Sequence, residues 1–422
     1  MFSRSFVNLV IRGLTLLSRF ILIFFIAKYL TPNDLGVFGI FSVTINLSVL
    51  LIGLDFYMYS TREIINSPKD SHVEIIKNQF LFHILSYCIF LPVLSLVFYL
   101  DILESKYIVI FLLLVIFEHI SQELYRIYSA LEKPIIANVL LFIRSASWIY
   151  ILIFLFIFNQ ESRNLDLIWT FWLAGSFVSI VCGVLWLKNQ LDFNCIKNIN
   201  FKWIQEGLIR AIPFFIATVA LKGIEFSDRY ILKFYYGDGM VGIYTFFINI
   251  SNVIPVFIFS GISMFLYPKI IRFYNEKKYN EYYRTLKKMT LYSTCSAAAL
   301  SIIMIILLKI IIIVLGKNDY EQYDRIFYIM LMTSFVSVLG QVPNYILYAK
   351  KKDKELLFST ILGFVTSLVL NFIFIPIYGV YGAAFGNLCA TLVMVLSKVF
   401  FSLKFRIKKI RNKQIIKRVD RK

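Results

Sequence analysis

Apolar stretches of about 20 residues, each long enough to cross a bilayer as a helix, recur along this 422-residue chain from end to end. Lipid offers no water to satisfy backbone N–H and C=O groups, so spans of this kind are expected to fold as helices. The reading is therefore an all-α polytopic membrane protein. Its hydrophobic share, 59%, exceeds the roughly 45–50% of a soluble domain. Twelve spans are expected at about 5–29, 36–57, 78–100, 107–125, 135–158, 167–187, 206–227, 241–267, 290–315, 325–348, 356–377 and 380–403.

The stretch Ile26–Glu63, IAKYLTPNDLGVFGIFSVTINLSVLLIGLDFYMYSTRE, reads as a helix end, a hinge, a second membrane helix and a charged exit. Its pattern returns in the same direction at Leu232–Lys269, with Gly36 falling on Gly242, Phe38 on Tyr244, Phe41 on Phe247 and Asn46 on Asn252. A repeat in this order implies two similar halves. The expected units are residues 1–195, residues 196–405 and a basic tail at 406–422, with the polar loop Lys188–Glu206 joining the halves.

Charge supplies orientation. With these spans, about thirty of the 44 Lys and Arg residues fall in one set of alternate loops and the ends, which makes that side cytoplasmic and both termini cytoplasmic. The net charge of +19 thus reads as an inner-leaflet feature, the tail KFRIKKIRNKQIIKRVDRK anchoring on anionic lipid rather than on nucleic acid. Met1–Phe6 runs into apolar sequence with no small-residue cleavage site and reads as part of a retained first helix.

No soluble-enzyme site is legible. The outer loops, such as Thr31–Leu35, Asp101–Lys106 and Asn159–Asp166, are too short to hold a catalytic domain, and a further outer loop is expected around Asp228–Met240. The segment EHISQE at 118–123 lacks the second histidine of a zinc helix, and the five cysteines are scattered without a CxxC pair. No metal, cofactor or catalytic residue is expected.

Charge inside the spans carries the functional signal, since it is expensive in hydrocarbon and turns toward a bundle interior or a wet cavity. Asn8, Arg12, Thr15 and Arg19 fall at i, i+4, i+7 and i+11, one stripe on the first helix. Thr218, Lys222, Glu225 and Arg229 repeat that spacing on the helix opening the second half, with Arg210 two turns earlier, and Arg144 lies mid-span in the fifth helix. Two readings stand: a cationic, water-filled cavity lined by Arg12, Arg19, Arg144, Arg210 and Lys222, or structural ion pairs such as Arg12 with Asp55. On the structural reading Lys222, Lys309 and Lys398 snorkel to an interface. Asp55, Glu118 and Glu225 are expected to serve either as coupling-ion groups or as partners of nearby cations. Gly379, Gly382 and Gly386 suit close helix packing, and Pro213, Pro255 and Pro343 suit kinks.

The segments AKYLTPNDLGVFGIF, GLDFYMYSTREI and NFIFIPIYGVYGAAFGNLCAT together resemble the Wzx-type polysaccharide flippases, related to the multidrug and toxin extrusion (MATE) transporters. The family often carries Arg and Gly where this chain has Lys28 and Thr31. The resemblance implies two pseudo-symmetric six-helix bundles in a V-shaped arrangement. It also implies an undecaprenyl-diphosphate-linked oligosaccharide as substrate, an O-antigen or capsule repeat unit, carried across a bacterial inner membrane by alternating access. Membrane lipids, a polysaccharide polymerase and a chain-length regulator are the implied partners. The alternative is a cation-coupled MATE-type drug exporter, whose cationic substrates call for acidic rather than basic cavity groups.

Overall fold

In the computed structural model the described residues are 2–188 and 199–419, and they form helices with no β-strand among them. The helices are, in chain order, α1 (Phe2–Tyr29), α2 (Pro32–Gly53), α3 (Tyr57–Asn66), α4 (His72–Leu94), α5 (Leu96–Tyr99), α6 (Ile108–Ala130), α7 (Pro134–Phe142), α8 (Trp148–Phe158), α9 (Leu165–Lys188), α10 (Phe201–Ser251), α11 (Val253–Ile258), α12 (Met264–Asn275), α13 (Tyr279–Leu315), α14 (Asn318–Glu321), α15 (Arg325–Ala349), α16 (Asp353–Tyr378) and α17 (Val380–Val419). Single π-helical turns, Ile143–Ser147 and Phe259–Ser263, join α7 to α8 and α11 to α12. Eleven helical segments among the described residues are long and apolar enough to cross a membrane. One of them, Phe201–Asn275, contains both the expected spans 206–227 and 241–267.

The chain divides into two compact units, Met1–Val219 and Ala220–Lys422, with the boundary inside α10. The junction expected at 195/196 lies outside the described residues, as do the side chains of the basic tail at 406–422.

In the first unit α2 is the central helix. Its first part, Leu35 to Phe41, is buried on every side and accordingly apolar all round, and the helix packs against α1, α4 and α6. Phe41 stacks on Trp169 of α9 with ring centroids 4.0 Å apart and meets Phe111 of α6 edge-on. The start of α2 is fixed by a reciprocal cap. Thr31 Oγ1 accepts from the Asp34 N–H at 3.1 Å, and Asp34 Oδ2 accepts from the Thr31 N–H at 3.0 Å, with Pro32 at the first helical position. Thr31→Ala is expected to lower stability by about 1 kcal/mol, read as a lower midpoint of thermal unfolding in detergent. The exit of α2 is an abrupt turn. Leu54 and Asp55 both take left-handed backbone angles there, φ +45° and +50°, a conformation that L side chains enter at a cost.

The second unit pairs α16 with α17 and packs α15 against α17 and α13. The turn between α16 and α17 uses Gly379 at φ +56°. The outer face of α13 exposes Ile302, Ile303, Ile306, Ile310 and Ile313, a surface stable against lipid tails rather than water.

The sequence repeat survives as a burial pattern. Gly36, Phe38 and Phe41 are buried in α2, and Gly242, Tyr244 and Phe247 are buried in the last part of α10, whereas Asn46 and Asn252 are both exposed. One expectation needs correction: no loop begins at Asp228. The helix α10 continues through Asp228 to Tyr236 and breaks at Gly237, where φ is +74° and ψ is −178°. Between Pro213 and Gly237 there is no further proline and only one glycine, Gly223. No strong helix breaker stands near Asp228, so polarity alone misplaced the end.

Candidate functional site

Helices α1, α6 and α9 and the π turn at Ile143–Ser147 assemble a polar cluster inside the first unit. A π turn widens the helix by one residue and re-aims its side chains, and here it carries both Arg144 and Ser145. The Arg144 side chain is 9% exposed and its Nε lies 3.6 Å from Oε2 of Glu118, itself 12% exposed. Arg144 also donates to the Glu118 backbone carbonyl at 3.3 Å. The other carboxylate oxygen of Glu118 accepts from Trp172 Nε1 and Ser176 Oγ, each at 2.7 Å. Glu118 is thus fully engaged, by one cation and two neutral donors.

Arg19 reaches the same turn from α1, donating to Ser145 Oγ at 2.9 Å. Arg19 is an exposed residue, unlike Arg144. With one acid set against two guanidiniums, the group formed by Arg19, Arg144 and Glu118 carries a surplus positive charge. The α1 stripe faces α7, the π turn and α8: Asn138 Nδ2 donates to Asn8 Oδ1 at 3.0 Å, and Ser18 Oγ and Tyr150 Oη lie 2.7 Å apart. Arg12, one turn from Asn8, is half-buried on that helix.

The remaining expected site residues lie in separate settings. Arg210 of α10 is exposed and sits over the Tyr59 ring at 5.4 Å, outside the Arg19–Arg144 group. Asp55 is buried and accepts from Thr218 Oγ1 at 2.5 Å. In the second unit Lys222 Nζ pairs with Glu225 Oε2 at 2.6 Å across one turn of α10. Lys222 and Glu225 therefore answer each other's charge, as an i, i+3 pair does on a helix.

Sequence reasoning missed a buried acid in the second unit. Asp228 is fully buried and accepts from Tyr244 Oη, from Asn387 Nδ2 at 3.1 Å and from the Arg229 N–H at 2.8 Å. In the sequence the polar run Ser227–Arg229 reads as the start of a loop and masks it. The repeat position Tyr244 and the small-residue segment holding Asn387 were the available clues.

Residues 3–274 match the family described as polysaccharide biosynthesis protein, and residues 213–373 match the MatE family. The chain is similar to the capsular polysaccharide biosynthesis protein CapF of Staphylococcus aureus, 24% identical over 393 residues that cover 92% of this chain and 96% of that protein. Among solved structures it is similar to an inward-facing multidrug resistance MATE transporter, with a TM-score of 0.76 at 13% identity, covering 97% of this chain and 99% of that one. It is also similar to the lipid II flippase MurJ in an inward closed conformation, with a TM-score of 0.75 at 17% identity, covering 96% of this chain and 88% of that one.

Proposed function

The chain belongs to the polysaccharide biosynthesis protein family, and from that premise we propose that it is a flippase for lipid-linked oligosaccharides. The cargo is an undecaprenyl-diphosphate-linked repeat unit of an O-antigen or capsule, moved from the inner to the outer leaflet of a bacterial inner membrane by alternating access. In this reading both termini are cytoplasmic, and a polymerase with its chain-length regulator receives the product.

The observation that carries the reading is the surplus guanidinium of the α1–π-turn cluster. A diphosphate is an anion with several acceptor oxygens, and an arginine fork is the side chain best matched to it. Arg144 is committed to Glu118, while exposed Arg19 is held by the neutral Ser145, so Arg19 is the group placed to receive an anionic headgroup. Arg144 and Ser145 orient it. A MATE-type exporter of cations needs an acid available to its substrate, and Glu118 is taken up by Arg144, Trp172 and Ser176.

In a strain lacking the gene, lipid-linked single repeat units are expected to accumulate while surface polymer is lost, and the intact gene is expected to reverse both. Arg19→Glu is expected to insert in the membrane at parental levels yet fail to restore polymer, a loss of at least about a hundredfold if one charge-assisted contact of about 3 kcal/mol is removed. Full restoration by Arg19→Glu would remove Arg19 from the site. Unchanged polymer in the deletion strain would contradict the flippase reading itself.

A further inference from the structure

The chain has three histidines, and two of them meet in the first unit, away from the arginine cluster's contacts. His83 of α4 and His119 of α6 have ring centroids 4.5 Å apart, and both face Glu123, one helical turn beyond His119. The three side chains are 1–2% exposed. His83 Nε2 lies 3.6 Å from Glu123 Oε2, and His119 Nε2 lies 3.9 Å from Glu123 Oε1. One donor atom from each residue can be chosen so that all lie within 4.8 Å of one another.

Structural packing accounts for only part of this group. Gln79 Nε2 donates to Glu123 Oε2 at 2.5 Å, and Arg126 Nη1 reaches Oε1 at 2.5 Å. Both ring nitrogens of His83, Nε2 of His119 and Oε1 of Gln79 are buried without a hydrogen-bond partner among the described residues. Buried polar atoms are rarely left so, and here Nε2 of both rings faces the Glu123 carboxylate. His119 Nδ1 is already fixed by Tyr87 Oη at 2.7 Å, which holds the ring with Nε2 turned inward, the arrangement that orients a ligating imidazole.

We propose that His83, His119 and Glu123 form a buried binding site for a zinc-class transition-metal ion. Two imidazoles and one carboxylate are the donor set that such ions prefer over calcium or magnesium. His83 Nε2, His119 Nε2 and Glu123 Oε2 supply three positions, and a water supplies the fourth. Donors around a tetrahedral ion stand about 3.3 Å apart, from bond lengths of about 2.0–2.1 Å, so the site closes by small side-chain movements. The group lies at the end of α2: a Cβ on Gly53 would stand 3.3 Å from His119 Nε2, and the last carbonyls of a helix favour a cation. Arg126 is the opposing charge. It is 18% exposed, lies 3.5 Å over the Tyr57 ring and binds the other carboxylate oxygen, so it lowers the affinity without occupying the ligand positions. A bound ion would tie α4 to α6 beneath the left-handed exit of α2.

The test uses the full chain purified in detergent, freed of any histidine tag and stripped with a chelator. Re-equilibration with zinc, followed by elemental analysis, is expected to give one equivalent per chain. Cobalt in its place is expected to give the visible absorption of a tetrahedral ion, removed by added zinc. His83→Ala, His119→Ala and Glu123→Gln are each expected to weaken zinc binding at least about tenfold. The cobalt spectrum needs no variant, so its absence overturns the proposal even if one of these fails to fold. Wild-type protein that takes up no stoichiometric zinc or cobalt would overturn the proposal. Uptake unchanged in both His83→Ala and His119→Ala would overturn it equally.

Discussion

Replacing Arg144 with methionine is expected to cost the first unit about 3 kcal/mol of stability, the low end for breaking a buried pair, because the half-buried Glu118 loses its paired cation and keeps only Arg19 nearby. Glu118 would retain Trp172 and Ser176 as hydrogen-bond donors, yet neither carries charge, and Arg144 Nε at 3.6 Å is the cation paired with it. The double variant Arg144→Met, Glu118→Gln removes both charges while the glutamine oxygen still accepts from Trp172 and Ser176. Its unfolding midpoint is expected to recover most of the loss, since replacing a buried ion pair whole is far cheaper than breaking it. Transport is expected to stay abolished in both, because the π turn then lacks the guanidinium beside Arg19. Thermal unfolding in detergent reads the first effect and surface polymer reads the second. A double variant that regains both stability and transport would make Arg144 a structural residue only.

The second large effect is expected in the other unit. At Gly382 a Cβ would stand 2.2 Å from the Phe374 carbonyl oxygen and 2.5 Å from its carbon. Those are backbone atoms of α16, so no rotamer change can make room, and the α16–α17 pair must separate. Gly382→Ala is expected to destabilise by about 3 kcal/mol, at the upper end of ordinary overpacking, and Gly382→Val by more. Gly13 has nothing within 4 Å of its Cβ position, and Gly13→Ala is the matched control, expected to be neutral or slightly stabilising for a helix. Equal unfolding midpoints for the Gly382 and Gly13 variants would contradict the close packing of α16 on α17.

Much of this architecture is legible in the amino acids. The recurrence of Gly36, Phe38 and Phe41 as Gly242, Tyr244 and Phe247 marks the buried helix segment of each unit, because a helix enclosed on all sides must be apolar all round and keep small residues for close neighbours. The α1 stripe is also legible, since a period of 3.6 places Asn8, Thr15 and Arg19 on one face whatever the tertiary context. What that stripe meets is not: Ser145 and Asn138 come from residues more than a hundred positions away, and the π turn that presents Ser145 has no mark in the sequence. Spacing on one helix likewise marks Lys222 as a basic group on a polar face, while its pairing with Glu225, three residues on, depends on the rotamers both side chains adopt. Asp228 was hidden by a polar run that reads as a loop and folds as helix as far as Gly237. The pairing of His83 with His119 joins two spans whose mutual register depends on side-chain packing alone, and EHISQE by itself could not disclose it.

The most direct test of the flippase reading is translocation by the purified chain in proteoliposomes. Undecaprenyl-diphosphate-linked repeat units from the producing strain would be placed in both leaflets and probed from one side with a membrane-impermeant sugar-modifying reagent, with and without an imposed ion gradient or potential. Protein-containing vesicles are expected to expose nearly all of the lipid-linked sugar to the reagent, Arg19→Glu vesicles only the half already facing it. An exposed fraction no greater than that of protein-free vesicles, under every gradient applied, would contradict the central claim.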